Sequence, residues 1–387
     1  MIENIKKIDF NLSEFINNFR NTKHDKELFI ILLSLFDFQD NNNNNINRPS
    51  IFQRLRSYSI SDINKYKIDE NYKDNIGSKI TSLCQYKNGI AIGDVKGKVH
   101  CYSLMKKKLS LSLIITEGKG KEIKYLYSLK NGNFICSLDN LFKIYNINDK
   151  KYTIIQTFKY ANEENQIQQP ENNKNNKKNV NNNKNNKRYY QILELLNKNL
   201  LYIDRNKLII LTNLTKDNYK EKPIKELTLG SNIIYMTELN ENKFSIYCED
   251  KKLIILDSNN YSQKSWVRPN LILKKIEGID SDKIALLSDR KLCLFSEAKQ
   301  DLIGNESIDN AIDVCTDFDK MLVAFKDSII QYEVKVNERG KYLTKLGQIK
   351  MNKINCIYLL KYIENNINNG DIICVYDEGK IKVFKKL

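Results

Sequence analysis

Two stretches set the frame: "YIDRNKLIIL" (Tyr202–Leu211) and "YCEDKKLIIL" (Tyr247–Leu256). Each runs from an apolar segment through an acidic turn into the same five residues, and the two copies of "KLIIL" begin 45 positions apart. A repeat at that period marks a chain built from small stacked units. The same grammar recurs in "NGIAIGDVKGKVHCYSL" (Asn88–Leu104) and in "VYDEGKIKVF" (Val375–Phe384).

Carried along the chain, this pattern gives seven units, whose turn aspartates are Asp94, Asp139, Asp204, Asp250, Asp289, Asp327 and Asp377. Another apolar run precedes each hairpin, as in "ITSLCQY", "YYQILEL", "LILKKIEGI" and "AIDVCTD", and a more polar one such as "LSLSLIIT" or "YTIIQTF" follows most of them. Four short strands in units of roughly 37–52 residues form the pattern of a β-propeller blade. The sequence stops on "KIKVFKKL", the third strand of the seventh unit, and an unassigned strand-like "INKYKIDE" (Ile63–Glu70) precedes the first. A surplus strand and a missing one predict a ring closed by the N-terminal segment, which removes the exposed edge of an open array. The expected fold is all-β, a seven-bladed propeller. Six or eight blades stay open, because units four to six are the least clearly divided.

From Ile63 to Leu387 the chain resembles the WD-repeat β-propeller family in repeat length, four-strand grammar and turn aspartates. It departs in lacking the Trp-Asp dipeptide and the Gly-His pair, and its lone tryptophan, Trp266, stands in no such motif. The resemblance implies a divergent member and a non-enzymatic protein-interaction scaffold or adaptor in a multiprotein complex, with no cofactor.

"GDVKGK" admits a second reading, because glycine beside lysine also makes up a phosphate loop. A Walker-type loop has four residues between its glycine and the Gly-Lys pair, then Ser or Thr for magnesium. Only three residues separate Gly93 from Gly97, and Val99 stands where the hydroxyl belongs. No helical pattern follows, and the related "DEGKIK" recurs at the far end of the chain. Asp and Gly favour the conformations that tight hairpins demand. The stretch is a turn.

Enzymatic chemistry has little material. The only histidines are His24 and His100; the latter alternates with Val99 and Cys101 on a strand and reads as a core or interface residue. Eight cysteines lie scattered in apolar runs with no CxxC pair, which fits buried thiols in a reducing compartment better than disulfides or zinc. No secretory signal pattern opens the chain, and its most apolar run, Leu28–Phe38, has eleven residues against the roughly 20 of a spanning helix. A cytoplasmic or nuclear protein is expected.

The formal charge is +16, carried by 54 Lys and only 9 Arg. That bias, with abundant Asn, Ile and Tyr, follows AT-rich codons and makes much of the charge background. A functional part is expected where strand order gathers loops on one face. Connections from first to second strand and from third to fourth share a side, and there lie Lys87, Lys106, Lys107, Lys108, Lys130, Lys150, Lys151, Lys216, Lys220 and Lys222. Such an arc suits an acidic protein surface or anionic lipid. The alternative function is a phosphoinositide- or nucleic-acid-binding propeller. The Phe-Arg-Arg-Gly motif of phosphoinositide-binding propellers is absent, and aromatics are not interleaved with the basic loops as single-strand binders require.

Residues 1–40 read as a helical arm, with "NLSEF" as a cap and Leu12, Phe15, Ile16 and Phe19 at helical spacing. Residues 41–62 read as a flexible linker, in which Arg54 and Arg56 precede Ser57 and Ser59 in a kinase-type spacing. Residues 63–387 form the propeller, and the Asn/Lys-rich 162–188 is expected to be a disordered insertion between the second and third blades.

Overall fold

The computed structural model describes residues 63–69, 74–87, 89–105, 108–117, 120–148, 150–160, 189–215, 218–239, 242–317, 320–336, 342–359, 372–376 and 379–386. The expected helical arm, the linker with Ser57 and Ser59, the Asn/Lys-rich insertion, Lys106, Lys107, Lys216 and Asp377 all lie outside these residues.

Seven antiparallel sheets follow one another along the chain, making the seven-bladed propeller that the repeat grammar predicts. The first blade runs outward through Ile80–Tyr86, Gly89–Asp94, Lys98–Met105 and Lys108–Thr116. The innermost strands of the others are Tyr125–Ser128, Ile192–Glu194, Ile233–Leu239, Leu273–Gly278, Ala311–Asp317 and Ile354–Leu359. The middle strands are sandwiched between neighbouring blades, and this burial of both faces explains the unbroken apolar runs. In Leu200–Asp204 all five residues are buried, and in Lys207–Leu211 all but the first.

Each junction between blades holds one apolar cluster, seven in all. The cluster joining the last blade to the first, with Ile90, Ile92 and Tyr102 against Ile373, Val375 and Val383, shows that the ring is closed. Side chains this fully buried contribute about 1.5–3 kcal/mol each, so the junctions carry the fold's stability.

The seventh blade is completed from the N-terminal side. Tyr66–Ile68 pairs antiparallel with Lys386–Phe384, and Asp74–Asn75 pairs with Ile381–Lys380. The strand expected over Ile63–Glu70 is thus shorter than predicted: Ile63–Lys65 forms a single 3-10 turn instead. There Ile63 enters the cluster between the sixth and seventh blades and its amide donates to Gln331 Oε1 at 2.7 Å, a demand that ends the ladder.

Two features have no counterpart in the sequence pattern. Innermost strands carry a bulge after their first residue in five blades, at Ile80/Ser82, Ile233/Tyr235, Leu273/Lys275, Ala311/Asp313 and Ile354/Cys356. One extra residue there sharpens the local twist at the ring's narrowest point. The third blade also interposes a small hairpin, Asn213–Thr215 with Asn218–Tyr219, before its short outer strand Lys225–Thr228. Part of "TKDNYKEK" is therefore structured, and Tyr219 is buried between the second and third blades.

Candidate interaction face and central channel

The turn aspartates serve the turns. Asp94 is 1% exposed; its Oδ1 accepts the amides of Lys96 and Lys98 at 2.9 Å, and Oδ2 lies 3.1 Å from His100 Nε2. Gly97 takes φ of +79° in the same turn, which settles "GDVKGK" as a hairpin. Elsewhere the aspartate ties its turn to a neighbouring segment on that side: Asp139 to Lys124 at 3.4 Å, Asp250 to Arg268 at 3.5 Å, and Asp289 to Lys274 at 2.5 Å. Asp204 is buried, and Asp327 Oδ1 accepts the Ser328 hydroxyl at 3.1 Å.

The opposite side carries the predicted basic residues. Lys87 stands exposed at the first turn of blade one, Lys150 and Lys151 at the outer turn of blade two, and Lys220 and Lys222 beside the blade-three hairpin. None has an ion pair among the described residues. Lys108 opens an outer strand. Lys130 differs from the expectation of a free loop-tip charge, because its Nζ lies 2.9 Å from both carboxylate oxygens of Glu238. On blades four and five the same side is largely neutralised, by Lys264 with Asp257 at 3.0 Å, Lys243 with Glu297 at 2.6 Å and Lys283 with Asp280 at 2.7 Å, while Lys299 donates to the Tyr342 hydroxyl at 2.6 Å. The face is basic over one arc and balanced over the next.

The central channel holds polar residues that sequence reasoning missed. Side chains stitch every innermost strand to its neighbour. Ser82 Oγ accepts the Leu126 amide at 2.8 Å, the Tyr127 hydroxyl accepts the Glu194 amide at 3.0 Å, and Gln191 Oε1 accepts the Met236 amide at 2.5 Å. Thr237 Oγ1 accepts the Gly278 amide at 2.8 Å, and Lys275 Nζ donates to Asp313 Oδ1 at 2.8 Å and to the Val314 carbonyl at 2.6 Å. Asp313 Oδ2 accepts the Ile357 amide at 3.2 Å, and the Tyr358 hydroxyl accepts the Gln85 amide at 3.3 Å, which completes the circle. A signal existed: "LILKKIEGI" and "AIDVCTD" put charges into first strands of neighbouring units, where the geometry turns them toward one another.

Burial alone would pull the Lys275 ammonium down, but the charges of Asp313 and Glu277 outweigh it and hold its pKa above the usual lysine range. A lysine so held is a strut and not a nucleophile. Burial pushes the thiols of Cys101, Cys248 and Cys356 up to about 12, so they stay protonated at neutral pH and are poor nucleophiles and metal ligands. Among the described residues no group of three or more His, Cys, Asp or Glu could hold a metal, and no helix is long and apolar enough to cross a membrane.

Glu194, on the innermost strand of the third blade, is a buried acid at 2% exposure. Its Oε2 accepts the Lys130 amide at 2.6 Å and its Oε1 the Tyr219 hydroxyl at 3.3 Å. Burial raises its carboxyl above the ordinary range, against the pull of the Lys130 amide and ammonium and the Tyr219 hydroxyl, and Glu238 adds to the rise. A raised folded value contributes stability that is fully present below the unfolded pKa, about 4.3, and is lost as pH rises through the folded value. Unfolding free energies of wild type and Glu194→Gln measured from pH 4 to 7 should therefore converge or cross with the wild type falling faster. A constant difference across that range would show that Glu194 does not titrate this way.

Neither a protein-family model nor any curated protein matches the sequence. Solved structures do. Raptor from Chaetomium thermophilum superposes with a TM-score of 0.63 at 12% identity, covering 88% of this chain and 30% of that one. The C-terminal WD40 domain of Sif2 superposes with a TM-score of 0.56 at 12% identity, covering 82% of this chain and 98% of the domain.

The fold is that of a WD-repeat β-propeller. The chain spans under a third of Raptor's length but matches the Sif2 domain nearly end to end. At such identity the likeness speaks for the propeller and leaves its ligands to be argued from the surface. The turn aspartates make the hairpin and neighbouring bonds described above, the Trp-Asp dipeptide is absent from the sequence, and Val99, Leu208, Leu253 and Leu292 are fully buried at the start of third strands.

Proposed function

We propose that the chain is a non-enzymatic scaffold that helps assemble a multiprotein complex, docking an acidic partner surface on the basic arc of blades one to three. The observation that carries this reading is the asymmetry of one face. Lys87, Lys150, Lys151, Lys220 and Lys222 stand without ion pairs among the described residues, while on the same side of blades four and five Lys243, Lys264 and Lys283 are matched by carboxylates and only Lys299, bonded to the Tyr342 hydroxyl, is not. Exposed lysines without ion pairs among the described residues also stand elsewhere, such as Lys79, Lys121 and Lys326, so the support comes from the contrast between neighbouring arcs of this one face. The eight unbridged cysteines support a reducing compartment, the cytoplasm or nucleus.

Charge reversal tests the arc. In affinity capture with the full chain, Lys87→Glu/Lys220→Glu/Lys222→Glu should lower recovery of at least one partner about tenfold, and that partner's binding to wild type should weaken with salt. An unchanged set of partners would refute the basic-arc reading. Loss of binding to anionic vesicles or duplex DNA without loss of any protein would replace it with the lipid or nucleic-acid alternative.

A further inference from the structure

The clefts that open outward between blades are not all alike. Two are filled by segments of this chain, and the two fillings share one design. Between blades six and seven, Ile63 is wholly buried, its amide bonds Gln331 Oε1 at 2.7 Å, and Gly347 leaves room for it. Between blades two and three, Tyr219 is 1% exposed and Gln156 grips its backbone twice, Oε1 accepting the Tyr219 amide at 3.0 Å and Nε2 donating to its carbonyl at 2.8 Å. In each case a short segment, a 3-10 turn at Ile63 and a strand at Tyr219, inserts one large side chain and a glutamine holds its backbone.

The cleft between blades one and two has the apolar walls for such a segment, and none of the described residues fills it. On the outer strand Lys151–Lys159, Tyr152 pairs with Ile147 and Ile154 with Tyr145, both members of the cluster between these blades. Tyr152 and Ile154 therefore face blade one, yet they are 40% and 44% exposed. The Tyr152 ring lies over Tyr145 at 5.9 Å, and Leu113 of blade one packs half-buried on the same cluster. The outer edge of Lys151–Lys159 pairs with no strand among the described residues. At the end of the cleft nearest Tyr152 stand Lys150 and Lys151, exposed and without ion pairs among the described residues.

We propose that the outer cleft between the first and second blades receives an extended, acidic segment of a partner protein, which adds to the free edge of Lys151–Lys159. Alternate apolar side chains of that segment, spaced as a strand's period of two requires, pack on Tyr152, Ile154 and Leu113. Its Asp or Glu residues lie toward the turn, opposite Lys150 and Lys151. Main-chain bonds supply generic affinity, the apolar walls select side chains, and the lysines fix direction. This deepens the scaffold reading and uses a surface distinct from Lys87, Lys220 and Lys222.

The test is selection of ten-residue phage-displayed peptides on the full chain. Enriched peptides should alternate apolar with polar residues and carry acids at one end. Their synthetic forms should bind at least tenfold more weakly to Tyr152→Ser/Ile154→Thr and several-fold more weakly to Lys150→Glu/Lys151→Glu. They should bind unchanged to Lys87→Glu/Lys220→Glu/Lys222→Glu, which separates failure of this cleft from failure of the basic arc. Both substituted apolar residues are exposed and Thr keeps strand propensity, so thermal midpoints should stay close to wild type, and Tyr152→Phe should retain binding. No enrichment, or binding that survives Tyr152→Ser/Ile154→Thr, overturns the proposal.

Discussion

Replacing Lys275 by methionine is expected to lower the free energy of unfolding by about 3 kcal/mol, the lower end of what breaking a buried ion pair from one side costs. The Lys275 side chain is 32% accessible and the Asp313 side chain 15%, which keeps the figure from the top of that range. Methionine fills the stem's volume but leaves Asp313 with only the amides of Val314 and Ile357 at 2.9 and 3.2 Å, and Glu277, 3.7 Å from the lost ammonium, without its countercharge. Three blades meet at this point, because Lys275, Asp313 and Ile357 belong to the innermost strands of the fifth, sixth and seventh.

Two companion measurements separate a strut from a ligand-binding lysine. Lys275→Met/Asp313→Asn should recover part of the loss, since it removes the stranded charge that the single substitution creates. The single variant's deficit should also shrink in acid, because an uncompensated carboxylate takes up a proton more readily and folding then no longer opposes its charge. Urea midpoints at pH 7 and pH 4.5 give both answers. A Lys275→Met protein as stable as wild type would free the residue for a binding role and remove the argument for a load-carrying channel.

How far the sequence alone reaches follows from where each signal lives. Second and third strands are legible because both their faces are buried, so "KLIIL" and its relatives stand out as unbroken apolar runs. The turn aspartates are legible because tight hairpins restrict residue type. Lys130 reads as a free loop charge because its partner Glu238 lies 108 positions away, and no local pattern marks such a pair. The blade-three hairpin hides for the same reason: one tyrosine among charges makes no periodicity, although Tyr219 is almost wholly buried. Channel residues are hidden by compromise, since an innermost strand must face both a core and a polar lumen and so shows neither pure alternation nor a pure apolar run. Strand order alone places the lysine arc, but which of its charges are already matched is a tertiary fact.

The seam of the ring should be its most sensitive point. Every other blade is one continuous stretch of chain, whereas the outer edge of the seventh is made, among the described residues, by Tyr66–Ile68 and Asp74–Asn75. Ile63→Asp places a carboxylate where the native side chain is 0% exposed, beside Gln331, also 0% exposed, and against the Gly347 backbone. Burying an unpaired polar group and losing the isoleucine together should cost about 4 kcal/mol or more. Ile68→Asp is the matched control: it lies on the same closing segment but is 37% exposed, so the same chemical change should cost under about 1 kcal/mol. The loss should also have a place. Amide exchange in Ile63→Asp should quicken first along Lys380–Lys386 and Leu343–Lys350, the strands flanking the seam, while blades three and four keep their protection, because each blade packs only on its two neighbours. Equal costs for Ile63→Asp and Ile68→Asp, or protection lost evenly around the ring, would mean that the covalent chain and not the seam limits stability, and that the N-terminal segment merely rests on a ring already closed by its seven apolar junctions.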